Sequence, residues 1–276
     1  MSELDGKVAI ITGAGAGLGR EHALCLAKMG ARVVINDLGG SPAGEEAAHN
    51  VVAEIKALGG QAVAHFGDCA DWGKTEALFK TAIDTFGDLN ILVNNAGFCR
   101  DAMLFNMSEQ DFDAVVRVHL KGHFCNMRHA AKYWRDKAKA DNAPVYGRLI
   151  STSSEAFLFG SVGQPNYAAA KAGINGLTRA MAKEWGRYKV NVNSVAFGLI
   201  MTRLTQPLTA GDASVEIQGR TIAVGVQPDR LKAAESTIPL GRGGTPEEAA
   251  GAVYMFCIPE SNYVSGQVLV CGGGRP

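Results

Sequence analysis

Residues 7–20 read KVAIITGAGAGLGR. A short β-branched apolar run, a glycine-spaced turn and the start of an amphipathic stretch follow without a linker, which describes a strand feeding directly into a helix. The glycines fall at Gly13, Gly17 and Gly19, a TGxxxGxG spacing and not GxGxxG. Such a turn needs glycine where the chain bends sharply (Gly13), where the backbone approaches a pyrophosphate (Gly17) and where helix and strand pack closely (Gly19). The helix amino terminus then offers free N–H groups and a partial positive charge to the anion. This stretch predicts a dinucleotide-binding α/β fold.

Asp37 closes the next apolar run, RVVIND, 18 residues beyond Gly19. A carboxylate there accepts hydrogen bonds from both hydroxyls of an adenosine ribose and repels a 2′-phosphate. No Lys or Arg stands in the turn before Gly17 or at position 36 to compensate, so NAD is predicted over NADP. Asp68, after the third run, reads either as a contact to the adenine edge or as a turn-forming residue. Asn94-Asn95-Ala96-Gly97 follows the fourth run, where Asn94 and Gly97 would line the crevice at the carboxyl end of the sheet.

Outward from this start, strand patterns recur at 7–12, 32–36, 61–66, 89–93, 146–151, 189–196 and 267–271, separated by helical patterns at 17–29, 43–58, 74–86, 108–136, 165–186 and 246–258. The alternation predicts a single-domain α/β protein over residues 1–276, a doubly wound parallel sheet of Rossmann type with about seven strands. Two segments break the rhythm. Residues 136–147 (DKAKADNAPVYG) read as an exposed connection, and residues 203–237 read as short helical pieces forming a substrate lid.

The chemistry is read from the fifth strand and the helix after it. The strand runs into Ser151-Thr152-Ser153-Ser154, and Tyr167 and Lys171 in YAAAK stand four apart, on one helical face. This set suits proton transfer coupled to hydride transfer at a secondary alcohol. To act as base near neutral pH, a tyrosine must fall about 3 pH units below its ordinary value, roughly 4 kcal/mol in favour of phenolate. An ammonium about 5 Å away at an effective dielectric of about 20 supplies roughly 3 kcal/mol. The remainder would come from an oxidised nicotinamide, and Ser154 would bond the substrate oxygen.

Composition narrows the partners. Hydrophobic residues make up 47% of 276 and charged residues 20%, enough for a buried core. Basic and acidic residues balance at 27 each, which removes the electrostatic case for nucleic acid or an anionic membrane. No run approaches 18 apolar residues, and the amino terminus lacks the basic start of a secretory signal. The six cysteines show no CxxC spacing and read as reduced thiols in a cytoplasmic protein. His119 and His123 stand four apart but lack a third ligand, so no metal is predicted, and His22 and His129 read as ordinary helix histidines.

TGAGAGLG, NNAG, the serine cluster and YAAAK, in this order and spacing, resemble the short-chain dehydrogenase/reductase family over essentially residues 5–273. The resemblance implies Ser154, Tyr167 and Lys171 as the catalytic set, with Lys171 also holding the nicotinamide ribose. It implies Thr202 at the nicotinamide carboxamide and adds Leu18, Cys69, Asn95, Ala96 and Ile200 to the cofactor crevice. Two positions depart from the family. His119 stands where Asn usually organises a proton-relay water, and is expected to hold a water or a backbone carbonyl in that role. Phe197-Gly198 replaces the usual Pro-Gly.

INDLGG (35–40), NNAGFCRD (94–101) and VHLKG (118–122) are similar to one branch, the (3R)-hydroxyacyl-CoA dehydrogenase units of D-specific multifunctional β-oxidation enzymes of lipid metabolism. That implies oxidation of a 3-hydroxyacyl-CoA with NAD. Alternatives are a hydroxysteroid or other bulky hydrophobic alcohol, or a non-catalytic NAD-binding regulator. Leu199, Ile200, Met201, Leu204 and Leu208 read either as facing an apolar substrate, with Arg100, Arg203, Arg220 or Arg230 meeting CoA phosphates, or as a core-facing stripe with solvated arginines. The resemblance also implies a homodimer or homotetramer.

Overall fold

The computed structural model describes residues 2–39, 42–202, 205, 214–217, 220–223 and 226–275. In chain order the elements are β1 (Val8–Thr12), α1 (Gly17–Lys28), β2 (Arg32–Asp37), α2 (Pro42–Ala57), β3 (Gln61–Phe66), α3 (Trp72–Phe86), β4 (Ile91–Asn94), α4 (Glu109–Val116), α5 (Gly122–Ala140), β5 (Gly147–Ser154), α6 (Ala156–Phe159), α7 (Pro165–Trp185), β6 (Val190–Phe197), β7 (Ser214–Ile217), β8 (Arg220–Ala223), α8 (Pro228–Glu235), α9 (Pro246–Tyr254) and β9 (Val268–Cys271). Seven strands form one parallel sheet in the order β3-β2-β1-β4-β5-β6-β9.

Strand alternation divides the core into two layers. Ala9, Ile11, Val33, Ile35, Ile91, Val93, Ile150 and Val195 face α1, α2 and α9. Val8, Ile10, Val34, Leu92, Leu149, Val190 and Val192 face the layer containing Leu78, Phe79, Met127, Trp134 and Trp185 of α3, α5 and α7. Because both faces are covered, the strands read as continuous apolar runs. Helix ends follow local chemistry. The Asp71 side chain accepts the Lys74 N–H at 2.8 Å to start α3, which Gly87 ends in the left-handed region at φ +81°. Thr245 and Glu248 form a capping box on α9.

Three features differ from expectation. The helix predicted over 108–136 is α4 and α5 joined by a π-helical turn at Arg117–Lys121, so the chain takes one wider turn where His119 sits. Helix α5 also runs on to Ala140, supported by the spaced pairs Lys132–Asp136 and Lys137–Asp141, and the chain leaves it at Asn142 with φ +47°. Within 203–237, the described residues contain an antiparallel ribbon, β7 with β8, besides the single helix α8, where short helical pieces were predicted. The β-branched residues of SVEI and RTIA around Gln218-Gly219 are the hairpin signal that the helical reading passed over. Part of the predicted lid, including Arg203, Leu204 and Leu208, lies outside the described residues, as do the side chains of Arg220 and Arg230.

Candidate active site

Parallel strands bring all their carboxyl ends to one edge, and the predicted residues gather there. Gly13 adopts φ +63°, and a Cβ on it would stand 2.8 Å from the Ala96 Cα. A Cβ on Gly19 would stand 2.1 Å from the Gly13 carbonyl oxygen, so this pair permits the close helix–strand approach. Gly17, at φ +55°, has nothing within 4 Å of the place a Cβ would take, so its backbone faces open space. The N-cap of α1 is Ala16, which makes no side-chain bond to the first-turn N–H groups. These groups, with half-buried Leu18 beside them, leave room and donors for a pyrophosphate. The Asp37 carboxylate accepts N–H bonds from Gly15 and Leu38, each at 2.8 Å, which orients it toward the turn with lone pairs to spare for ribose hydroxyls. The donor set thus fits a dinucleotide.

Asn95 and Ala96 are tied to this turn by a residue that motif reading missed. The Thr12 hydroxyl accepts both their N–H groups, at 3.0 and 3.1 Å. The Asn95 side-chain amide donates back to the Thr12 and Gly13 carbonyls at 3.1 and 3.2 Å, bracing the glycine turn. Asp68 accepts the Ala70 N–H at 2.8 Å and pairs with Arg117 at 2.5 Å, linking the loop after β3 to the π-helical turn. Beside it Cys69 is buried, which pushes its thiol up to about 12.

Ser154 ends β5, where its hydroxyl oxygen accepts the Ala156 N–H at 3.2 Å, and its hydroxyl acts to pull the nearby Tyr167 phenol down against burial. Lys171 is 1% exposed. Its Nζ donates to the Thr152 carbonyl at 2.6 Å and lies 5.3 Å from the centre of the Tyr167 ring. The Ser153 hydroxyl donates to the Lys171 carbonyl at 3.3 Å, fixing α7 against β5. Burial raises the Tyr167 phenol above its ordinary value and lowers Lys171 to about 7. This corrects the expectation that the amine alone brings the phenol most of the way down. Desolvation opposes both charges, so the lysine is itself driven toward neutrality.

His119 packs against this set. Its ring meets Tyr167 edge-on, with centres 5.1 Å apart, and its Nε2 lies 2.8 Å from the Phe98 carbonyl oxygen and 3.1 Å from the Phe98 nitrogen. A Cβ on Gly97 would stand 2.1 Å from the imidazole Cε1, so glycine is the residue that admits the ring. An Nε2–H donating to the carbonyl leaves Nδ1 as a buried acceptor without a partner. Burial lowers His119 to about 3, so the ring is neutral. His123 is buried with its Nε2 unpartnered, and burial holds it well below its ordinary value.

Residues 7–213 match the model of the short chain dehydrogenase family. The chain belongs to that family. It is 43% identical to hydroxyacyl-CoA dehydrogenase ChsB1 of Mycobacterium tuberculosis over 273 residues, 99% of this chain and 79% of that protein. It is 46% identical over 196 residues to peroxisomal multifunctional enzyme type 2 of Mus musculus, a match covering 70% of this chain and 25% of that longer protein. A crystal structure of a short chain dehydrogenase from Mycobacterium avium superposes with a TM-score of 0.79 at 45% identity, covering 99% of this chain and 84% of that one. As a short-chain dehydrogenase, the protein is an oxidoreductase acting on CH–OH groups with a nicotinamide cofactor. Among the described residues, no helix is long and apolar enough to cross a membrane.

Several side chains of this short-chain dehydrogenase lie elsewhere than their motifs suggested. Ile200 packs into the core, so only its backbone is available at the sheet edge, where it bridges to Gly244. The Thr202 N–H donates to the Thr205 hydroxyl oxygen at 2.7 Å. Phe197 is buried, stacked on His22 of α1 at 6.0 Å, so its ring fills the core. Arg100 is also buried, against the Phe98 ring and 3.9 Å from an Asp111 oxygen, which removes it from an exposed phosphate-binding role.

An apolar rim comes instead from two segments joined by an Ala102–Gly163 backbone bond and a Gln164–Asp101 bond at 2.9 Å. They carry exposed Met103, Leu104, Phe105, Leu158, Phe159 and Val162. Arg275, which belongs to no sequence motif, pairs with Glu155 beside Ser154. It also bonds the Ala234 carbonyl and the Thr237 hydroxyl, tying the segment after β9 to the end of α8.

Proposed function

We propose that this chain is an NAD-dependent 3-hydroxyacyl-CoA dehydrogenase in which Ser154, Tyr167 and Lys171 perform the proton chemistry. The observation that carries the reading is the junction at the end of β5, where the buried Lys171 Nζ, anchored on the Thr152 carbonyl two residues before Ser154, stands 5.3 Å from the centre of the Tyr167 ring. The names of the relatives in Mycobacterium tuberculosis and Mus musculus favour a hydroxyacyl thioester. The exposed apolar rim beside Tyr167 suits an acyl chain.

The chain would hold the cofactor through the glycine turn at Gly13, Gly17 and Gly19, with Asp37 on the adenosine ribose, Asp68 near the adenine and Thr202 near the carboxamide. The carboxylate of Asp37 favours NAD. A bound nicotinamide supplies the hydride acceptor and, when oxidised, a positive charge. Ser154 hydrogen-bonds the alcohol oxygen and orients it toward Tyr167. Tyr167 takes the hydroxyl proton onto its phenolate oxygen, and Lys171 stabilises that phenolate in its protonated form, which burial disfavours and the phenolate charge favours. His119 positions the Tyr167 ring and keeps the Phe98 backbone in place.

The test is an absorbance assay at 340 nm with 3-hydroxyacyl-CoAs of several lengths against hydroxysteroids, each with NAD and NADP. NADH production with a hydroxyacyl-CoA, lost in Tyr167→Phe with NAD affinity unchanged, is expected. Wild-type protein that binds NAD and oxidises no alcohol would instead be a regulator.

A further inference from the structure

Glu155 stands one residue beyond Ser154, and the proton chemistry above does not use it. Its side chain is only 15% exposed. One carboxylate oxygen, Oε1, accepts from Arg275, whereas Oε2 is buried without a hydrogen-bond partner. A carboxylate oxygen withdrawn from water and left unbonded costs free energy, so its place in the fold calls for a reason.

The space around Oε2 supplies one. A Cβ on Gly198 would stand 2.8 Å from this oxygen and a Cβ on Gly272 3.2 Å from it, so glycine at both positions leaves the niche that the carboxylate fills. Glu155, Gly198 and Gly272 are the first residues beyond β5, β6 and β9. The Glu155 N–H donates to the Phe197 carbonyl at 2.9 Å, and the Gly198 N–H donates to the Cys271 carbonyl at 3.0 Å. The carboxyl ends of three adjacent strands therefore meet around one side chain. Past Gly198, the Leu199 carbonyl accepts the Gly244 N–H at 2.9 Å, and the Met201 N–H donates to the Gly244 carbonyl at 2.8 Å, which fixes the chain as it approaches Thr202. Ser154 lies on one side of Glu155 and the segment 198–202 on the other.

We propose that Glu155 is a positioning residue for hydride transfer: wedged between Gly198 and Gly272, its side chain sets the spacing between Ser154 and the segment 198–202. The inference rests on the function proposed above, which puts the alcohol at Ser154 and the nicotinamide at Thr202. Reacting atoms must approach to about 3–3.5 Å, and a misplacement of about 1 Å costs on the order of a hundredfold in rate. Shape carries this role and charge does not. Oε2 bonds to nothing, and an amide oxygen in place of Oε1 still accepts from Arg275.

The test is stopped-flow NADH formation from 3-hydroxyoctanoyl-CoA with alcohol and NAD both saturating. The single-turnover rate is expressed per NAD-binding site, counted by fluorescence titration, for the wild type and for Glu155→Ala, Glu155→Asp, Glu155→Gln and Ser154→Ala. Glu155→Ala empties the niche and is expected to slow the rate per site at least about tenfold, with NAD affinity within about twofold of wild type. Glu155→Gln refills the niche and is expected to stay within about threefold of wild type. Glu155→Asp, too short to reach it, is expected to fall between the two and decides the matter if the alanine variant does not fold. Partial unfolding would lower the number of sites and leave the rate per site as it is. Wild-type rates per site in Glu155→Ala and Glu155→Asp, or a Glu155→Gln as slow as Glu155→Ala, would overturn this inference alone, provided that Ser154→Ala is inactive. Full turnover in Ser154→Ala, or none in the wild type, would defeat the functional reading and this inference with it.

Discussion

Mild acid should destabilise this fold through histidines that cannot take up a proton without unfolding. His22 and His119 are lowered to about 3 by burial, and His123 is held well below its ordinary value by burial and by the Lys171 charge. Above the unfolded value near 6.5 these rings are neutral in both states and pH has no hold on them. As pH falls below it, the unfolded chain binds protons that the folded chain refuses, so stability is lost. From pH 7 to 5.5 each ring costs roughly 1 to 1.5 kcal/mol and the three together about 4 kcal/mol. That is a large part of an ordinary domain's stability. Guanidinium unfolding at fixed protein concentration, followed by fluorescence of the buried Trp134 and Trp185, measures it directly. His22→Leu isolates one contribution, because both nitrogens of His22 are buried without partners. It should shrink the pH-dependent loss by about a third and be neutral or stabilising at pH 7. A loss under about 1 kcal/mol between these pH values, or an unchanged loss in His22→Leu, would refute the reasoning.

Three further outcomes follow from the site. Gly13→Ala places a methyl group 2.8 Å from the Ala96 Cα on a left-handed backbone, so NAD affinity measured by fluorescence titration should fall at least about tenfold. Asp37→Ser removes the carboxylate opposing a 2′-phosphate, and the ratio of kcat/KM for NAD over NADP should drop at least about tenfold. Arg275→Ala unties Glu155 from α8, so KM for the alcohol should rise several-fold with kcat less affected, as measured in steady-state assays.

The sheet was legible because its strands are covered on both faces: the runs VAII of β1 and VVI of β2 are unbroken apolar stretches, and the intervening helices show their own period. The turn glycines and the Ser154, Tyr167 and Lys171 spacing were equally plain, since each depends on neighbours close in sequence. What escaped notice depends on long-range contact. Thr12 bonds a segment 83 residues away, and Arg275 reaches Glu155 across 120 residues, with no local pattern announcing either. Ile200 looked available to ligand because apolar character alone does not tell a core position from a crevice wall. Nor could the phenol–amine arithmetic include the cost of desolvating both groups, which appears only when the burial of Lys171 is known.

The Arg275 contact also orders events during synthesis. A ribosome releases the glycine turn, Asp37 and the Asn95 brace well ahead of Ser154, whereas the partner that secures the neighbour of Ser154 lies beyond β9 in the chain. The nucleotide half of the crevice can therefore assemble on a nascent chain well before the alcohol half is locked, and cofactor present during translation would meet its own cradle first.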